Sequence, residues 1–240
     1  MEFVRSISEK ALGILYPPRC PICDEITETG GRICPACTGK VREIGEPVCK
    51  KCGKPLEDER REYCPDCAVK KHLYTQGKAV FVYGEGIPKS LYRFKYANKR
   101  EYAEYYADRA AKRYGAWLKS REAEVLVPVP MYFWKKRLRG YNQAEIFARA
   151  LGRNTGIPVD TRLVKRVRNT APQKTLNDVQ RKSNLKNAFQ LVPDIVKYTQ
   201  IVLVDDIYTT GSTMDAVAGV LLDAGVKNIY YICISIGTGY

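Results

Sequence analysis

The sequence predicts a mixed, mainly parallel α/β domain preceded by a double zinc ribbon. Three observations carry that expectation. Residues 201–204 (IVLV), 124–130 (EVLVPVP) and 228–236 are β-branched, apolar runs suited to strands buried on both faces of a parallel sheet, with helix-spaced segments between them. Eight of the nine cysteines fall within 48 residues, as four C-x-x-C pairs. Between the strand at 201–204 and a helix at 214–222 stand two carboxylates, Asp205 and Asp206, and the small, hydroxyl-rich stretch Thr209-Thr210-Gly211-Ser212-Thr213.

A length of 240 residues allows one large domain or one domain with an appendage. The net charge of +14 and pI near 9.3 point to polyanionic partners, either nucleic acid or phosphorylated substrates. The balance stays basic even when eight thiolates carry two Zn²⁺. The first ten residues are charged throughout, which suits neither a signal peptide nor a membrane span. The expected location is therefore the cytoplasm, with no membrane insertion. In that reducing compartment paired cysteines read as metal ligands rather than disulfides.

Residues 1–18 predict a short capping helix: Phe3, Ile7, Ala11, Ile14 and Leu15 follow helical spacing and Pro17-Pro18 ends it. Residues 19–70 are the double ribbon, with pairs Cys20/Cys23, Cys34/Cys37, Cys49/Cys52 and Cys64/Cys67. A C-x-x-C turn offers two thiolates, and two such turns close a tetrahedral Zn²⁺ site. Gaps of 10, 11 and 11 residues favour sequential pairing, with an interleaved cross-brace as the alternative. Four thiolates fill the coordination shell, so the two Zn²⁺ ions are structural. Four equivalent pairs are too many for a redox-active dithiol. His72, the only histidine, reads as an exposed linker residue.

The α/β domain spans 73–240. A strand at 77–83 precedes a helix opened by Pro88, and 89–100 (KSLYRFKYANKR) then carries five basic residues and no acidic one. Two readings are open. Lys89, Arg93, Lys95, Lys99 and Arg100, with Tyr92, Phe94 and Tyr96, form a single-stranded DNA track, or the segment is an amphipathic helix whose aromatics pack inward. A long helix at 101–120 leads to the strand at 124–130, then a loop dense in Lys135, Lys136, Arg137 and Arg139 that suits pyrophosphate. A helix at 143–154, a short strand at 163–167, a mobile loop at 168–177 and a basic helix at 178–187 follow. The final strand, 228–236, holds Cys233 as a buried apolar residue.

Ligands of open α/β sheets sit beyond the carboxyl ends of the strands, where Asp205 and Asp206 project. The loop Thr209–Thr213 opens a helix, so its free N–H groups and the helix dipole favour a phosphate, and Gly211 permits close backbone approach. A ribose 5-phosphate satisfies both features, its hydroxyls meeting the carboxylates and its phosphate meeting the loop. The thirteen residues IVLVDDIYTTGST resemble the phosphoribosyl-pyrophosphate (PRPP) signature of type I phosphoribosyltransferases. Together with the paired cysteines, VPVP, Arg139-Gly140-Tyr141-Asn142-Gln143, Gln173 with Leu176, Arg181 with Asn184, and Ala188-Phe189, the chain resembles the ComF family, in which Phe is usual where Tyr141 stands.

That resemblance implies a type I phosphoribosyltransferase fold and a role in natural competence and DNA uptake. Its partners would be PRPP, single-stranded DNA and other competence proteins such as a DNA-translocating helicase. One hypothesis is an active transferase, with Asp205 and Asp206 on the ribose hydroxyls and Thr209, Thr210, Gly211, Ser212 and Thr213 on the 5-phosphate. Mg²⁺, Arg137 and Arg139 would stabilise the departing pyrophosphate, and the 168–177 loop would close over it. The other is a non-catalytic PRPP or nucleotide sensor that binds DNA. A Walker-type NTPase is disfavoured, since no G-x-x-x-x-G-K-[ST] stretch is present.

Overall fold

Apolar runs at four points in the chain form one parallel sheet in the computed structural model, which describes residues 17–27, 33–169, 185, 187–192 and 196–238. The described elements are α1 (Pro65–Val69), β1 (Gln76–Val82), α2 (Gly86–Tyr96), α3 (Tyr102–Ser120), β2 (Val125–Pro128), α4 (Phe133–Arg139) and α5 (Gln143–Thr155), then β3 (Val164–Arg166), β4 (Phe189–Leu191), β5 (Gln200–Tyr208), α6 (Ser212–Asp223) and β6 (Asn228–Ile236). The order across the sheet is β1-β6-β5-β2, every neighbour parallel, while β3 and β4 pair antiparallel beside it. The mainly parallel α/β architecture behind two cysteine ribbons is the one the sequence predicts.

Alternation along β5 explains the layers. Ile201 and Leu203 join Val217 and Leu221 of α6, Tyr74, and Cys49, Cys52 and Cys64 of the second ribbon. Val202 and Val204 join Tyr106 of α3, Phe147 of α5, and Cys20 and Cys37 of the first ribbon. Each face of the sheet is thus covered by helices and one ribbon. Both outer edges are occupied as well. The inter-ribbon segment lies along β1 through Ile44 N–H to Val80 O (3.0 Å) and Val82 N–H to Arg42 O (2.9 Å). Residues 158–160 lie along β2 through Leu126 N–H to Pro158 O (2.9 Å) and Asp160 N–H to Leu126 O (3.0 Å). Covered edges remove the template for unwanted strand pairing.

Three expectations are corrected. The basic segment expected as a loop is a helix, α4, closed by Gly140 at φ 85° with its N–H on Lys136 O (2.8 Å). Its cations crowd the last turn, where they offset the negative end of the helix dipole. The strand expected to end before the acidic pair runs on to Tyr208, so Asp205 and Asp206 are strand residues. His72 is not exposed but buried, drawn inward by the Asp215 carboxylate. The capping helix at 1–18, apart from its last two residues, and most of 168–177 and 178–187 lie outside the described residues.

Candidate functional site

The metal centres form from local turns. Each knuckle is closed by its own backbone, as in Asp24 N–H to Cys20 O (2.9 Å) and Gly53 N–H to Cys49 O (2.9 Å). The sulfurs of Cys20, Cys23, Cys34 and Cys37 lie within 4.8 Å of one another, as do those of Cys49, Cys52, Cys64 and Cys67, so the pairing is sequential. Cys23 and Cys34 Sγ are 3.8 Å apart, and Cys52 and Cys64 Sγ 3.6 Å. A tetrahedron with 2.3 Å Zn–S arms has edges of about 3.8 Å, so both quartets fit structural Zn²⁺. Lys54, buried beside the second quartet, is paired with Asp66 at 2.6 Å.

The acidic pair lies at the carboxyl end of β5, and successive strand residues send their side chains to opposite faces. Asp206 meets Lys95 of α2 at 2.7 Å. Burial works against the Lys95 ammonium, but Asp206 outweighs it and holds that pKa above its ordinary value. Asp205 turns to the other face, beside Cys233 of β6 and toward Arg166 of β3. Burial, reinforced by the Asp206 carboxylate, pushes Asp205 up to about 7, despite a hydrogen bond from Asp206 N–H at 2.8 Å. One carboxylate is therefore neutralised by an ammonium, and the other is poised to ionise near neutral pH.

Asp205, Thr209, Gly211, Ser212 and Thr213 line one small hollow at the start of α6. Thr210 instead shares a hydrogen bond with Ser212 Oγ at 3.0 Å. Gly211 holds φ 79°, and a Cβ there would stand 2.6 Å from the Tyr208 hydroxyl and 2.8 Å from His72 Cε1. Only glycine suits both the left-handed backbone and that floor.

Lys95, Tyr96, Asn98, Lys135, Leu138 and Arg139 line a larger cleft of about 400 Å³. Arg139 lies over the Tyr96 ring at 4.6 Å and donates to Gln143 Oε1 at 2.6 Å. Burial, together with Arg166 and Arg139, holds Lys135 below its ordinary pKa, the mark of cations gathered where an anion would relieve them. Of the two arginines expected here, Arg139 lines the cleft, whereas Arg137 is exposed on α4 and does not.

The run at 89–100 divides between its two readings. Phe94 is fully buried, as the amphipathic-helix reading requires, while Tyr92 and Tyr96 are exposed, 5.0 Å apart. Most of its cations have internal duties: Arg93 donates to Ile22 O (3.0 Å), Lys99 pairs with Asp24 (2.8 Å) and Arg100 lies over Tyr141 (4.5 Å). Lys95 and Arg166 neighbour the acidic pair through the fold alone, since no local spacing in the sequence links them to it.

Comparison with known proteins bears first on the ribbons. Residues 11–68 match the family described as Double zinc ribbon domain. The chain is 31% identical over 208 residues to Competence protein F of Haemophilus influenzae, covering 82% of this chain and 87% of that protein. It is 30% identical over 210 residues to DNA utilization protein YhgH of Escherichia coli K12, covering 84% and 89%. To Competence protein ComFC of Bacillus subtilis it is 26% identical over 238 residues, covering 93% and 87%. A purine phosphoribosyltransferase from Pyrococcus horikoshii Ot3 is a distant structural neighbour, at TM-score 0.34 and 16% identity over 55% of this chain and 73% of that one. With 31% of aligned residues identical to competence protein F over 82% of this chain and 87% of that protein, and a ComFC match across 93% of its length, this chain belongs to the family of competence protein F and ComFC.

Proposed function

We propose that this chain binds PRPP with Mg²⁺ at the carboxyl end of β5 and handles single-stranded DNA, in a setting for which its relatives' names give competence and DNA utilization. The observation that carries the reading is the left-handed Gly211 opening α6 in a hollow lined by Asp205, an arrangement that suits a phosphate, with Lys95 linking Asp206 to the cation-lined cleft. The ribose 5-phosphate sits on 209–213, with Asp205, which lines the same hollow, accepting from the ribose hydroxyls, while Asp206 on the opposite face holds Lys95 in place. Lys95, Lys135 and Arg139 bind the pyrophosphate. Mg²⁺ would supply neutralisation of the phosphate oxygens, with Asp205 the carboxylate that would help hold it, since Lys95 already engages Asp206. In a transferase, departure of pyrophosphate leaves positive charge at the ribose, which the neighbouring carboxylates stabilise.

Pyrophosphate release from PRPP, followed with and without single-stranded DNA and an added acceptor, tests this reading. Turnover establishes a phosphoribosyltransferase. PRPP binding without release establishes the sensing module. Failure to bind PRPP at all would remove both.

For DNA, the proposed surface moves from the expected track to the rim formed by α2 and α4, where Tyr92, Tyr96, Phe133 and Trp134 are exposed beside Lys136 and Arg137. Aromatic faces and cations interleaved in this way suit stacked bases and a phosphate backbone. Tyr96→Ala is expected to weaken oligonucleotide binding by about 1–3 kcal/mol with little change in its salt dependence. Arg137→Ala should make the log–log salt slope shallower by about 0.7, one phosphate contact. A salt titration in which both variants match wild type places the DNA elsewhere.

A further inference from the structure

The floor beneath the phosphate loop is made by His72, on the segment leaving the second zinc ribbon, and by Tyr208 of β5. Five residues past the last cysteine ligand, Cys67, the chain turns His72 inward until its side chain is 2% exposed. The Asp215 carboxylate, in the first turn of α6, accepts from His72 Nδ1–H at 2.8 Å and from Leu73 N–H at 2.9 Å. The imidazole stacks on Tyr74, with centroids 4.9 Å apart and planes at 19°. Its Cε1 lies against Gly211, which is why a Cβ there would find only 2.8 Å.

A second connection runs parallel to this one. The Tyr208 hydroxyl, also against Gly211, shares a hydrogen bond with the Tyr74 hydroxyl at 2.7 Å. Tyr208 stacks on Tyr231 at 4.9 Å and 10°, and Tyr231 Oη donates to the carbonyl of Cys52, a ligand of the second quartet, at 2.7 Å. Gly77 N–H donates to Lys51 O at 2.8 Å, fixing β1 to the same knuckle. The loop therefore rests on two aromatic groups, each tied to the second ribbon through packed rings, hydrogen bonds or a short stretch of chain. Close packing of this kind transmits displacement rather than absorbing it.

We propose that His72 and Asp215 are positioning residues that hold the 209–213 loop in its phosphate-binding shape, and that through them the second zinc centre and the phosphate site stabilise one another. The inference rests on the phosphate-binding role given above to that loop. A ribbon that has lost zinc no longer fixes residues 72–74, so His72 leaves the underside of Gly211 and the loop loses its floor. Coupling between two binding sites is reciprocal, so a phosphate ligand on the loop must also retard loss of zinc from the second quartet.

Two measurements on the intact zinc-loaded protein test this. The first is ribose 5-phosphate affinity by calorimetry for wild type, His72→Phe, His72→Asn and Asp215→Asn. His72→Phe keeps a ring under Gly211 but cannot donate to Asp215. His72→Asn places an amide N–H near the position of Nδ1 and restores that bond. The expected result is a loss of about 10-fold for His72→Phe and Asp215→Asn, within the usual range of coupling energies, with partial recovery in His72→Asn and two zinc ions retained per chain. The second is the rate at which a chelator removes zinc, with and without ribose 5-phosphate. Wild type should show protection of one ion of the two, and His72→Phe should show none. Equal sugar-phosphate affinity across the series, or equal zinc protection in wild type and His72→Phe, overturns the coupling while leaving the phosphate site standing. Absence of ribose 5-phosphate binding by wild type would instead overturn the role of the loop, and this inference with it.

Discussion

Cys49→Ser is expected to unfold the protein, not merely its own ribbon. The second quartet sits in the same apolar cluster as Ile201, Leu203 and Tyr231, with Cys49, Cys52 and Cys64 all buried. Losing one thiolate opens the coordination shell, and structural Zn²⁺ in small ribbons contributes about 10–16 kcal/mol at neutral pH. A whole domain is stable by only about 5–15 kcal/mol. Even a fraction of the zinc contribution therefore exceeds what the sheet can lose. The first quartet is less deeply set, since Cys23 and Cys34 are only half-buried. Cys20→Ser should accordingly lose one zinc and melt earlier, yet retain a cooperative transition. Elemental analysis should find two Zn²⁺ in wild type and one in Cys20→Ser, with thermal melts ranking the variants. A wild type with fewer than two zinc ions, or an unchanged melt for Cys49→Ser, would remove this account.

Asp205→Asn should stabilise the unliganded protein at pH 8 while abolishing tight PRPP binding. The folded protein raises Asp205 from an ordinary carboxylate value to about 7, chiefly by burial. The folded state thus holds a proton that the unfolded chain has released, and stability falls as pH rises between about 4 and 7. Above 7 the full penalty of a buried, ionised carboxylate beside Asp206 is present. Every tenfold gain in proton affinity on folding corresponds to about 1.4 kcal/mol, so removing the charge is worth on the order of a few kcal/mol at pH 8. That gain should disappear below pH 4, where the carboxyl is protonated in both states. Ligand binding should run the other way. Ribose hydroxyls donate to an ionised carboxylate, so PRPP affinity in wild type should rise from pH 6 to 8 with release of up to one proton. Thermal melts of both proteins across that range, with calorimetry in buffers of different ionisation enthalpy, read both effects. A pH-independent difference in melting temperature would show that Asp205 is not the titrating group.

Local spacing made much of this molecule legible in advance. The C-x-x-C gaps led to sequential quartets because a knuckle is a short-range object, and the run at 228–236 became β6 with the same bounds because its isoleucines and tyrosines keep a continuous strand preference. The glycine of the 209–213 loop was legible because only a left-handed residue opens that helix so tightly. Partnership between distant segments was not legible. Lys95 looked like one cation among five, and nothing near it indicates that it neutralises Asp206. His72, in a stretch of lysines, looked solvated, yet the Asp215 carboxylate and the Tyr74 ring draw it inside. The basic segment at 135–139 looked like a loop because its charge masks a helix whose end is set by Gly140.

The strand order carries a consequence for how the chain must be made. β6, the last of the described strands in sequence, lies between β1 and β5 and pairs with both. As the chain leaves the ribosome, β1 emerges without β6, its one strand neighbour in the sheet, which follows nearly 150 residues later. Such long-range pairing is slow and leaves an apolar strand open to wrong partners. The ribbons precede it and need only zinc and short turns to form. The inter-ribbon backbone already lies along one edge of β1, through Ile44 and Arg42, so during synthesis it serves as a temporary guard as well as a final covering. Early metal capture thus acts as the chain's own chaperone, keeping the first strand occupied on one side until the last arrives to fill the other.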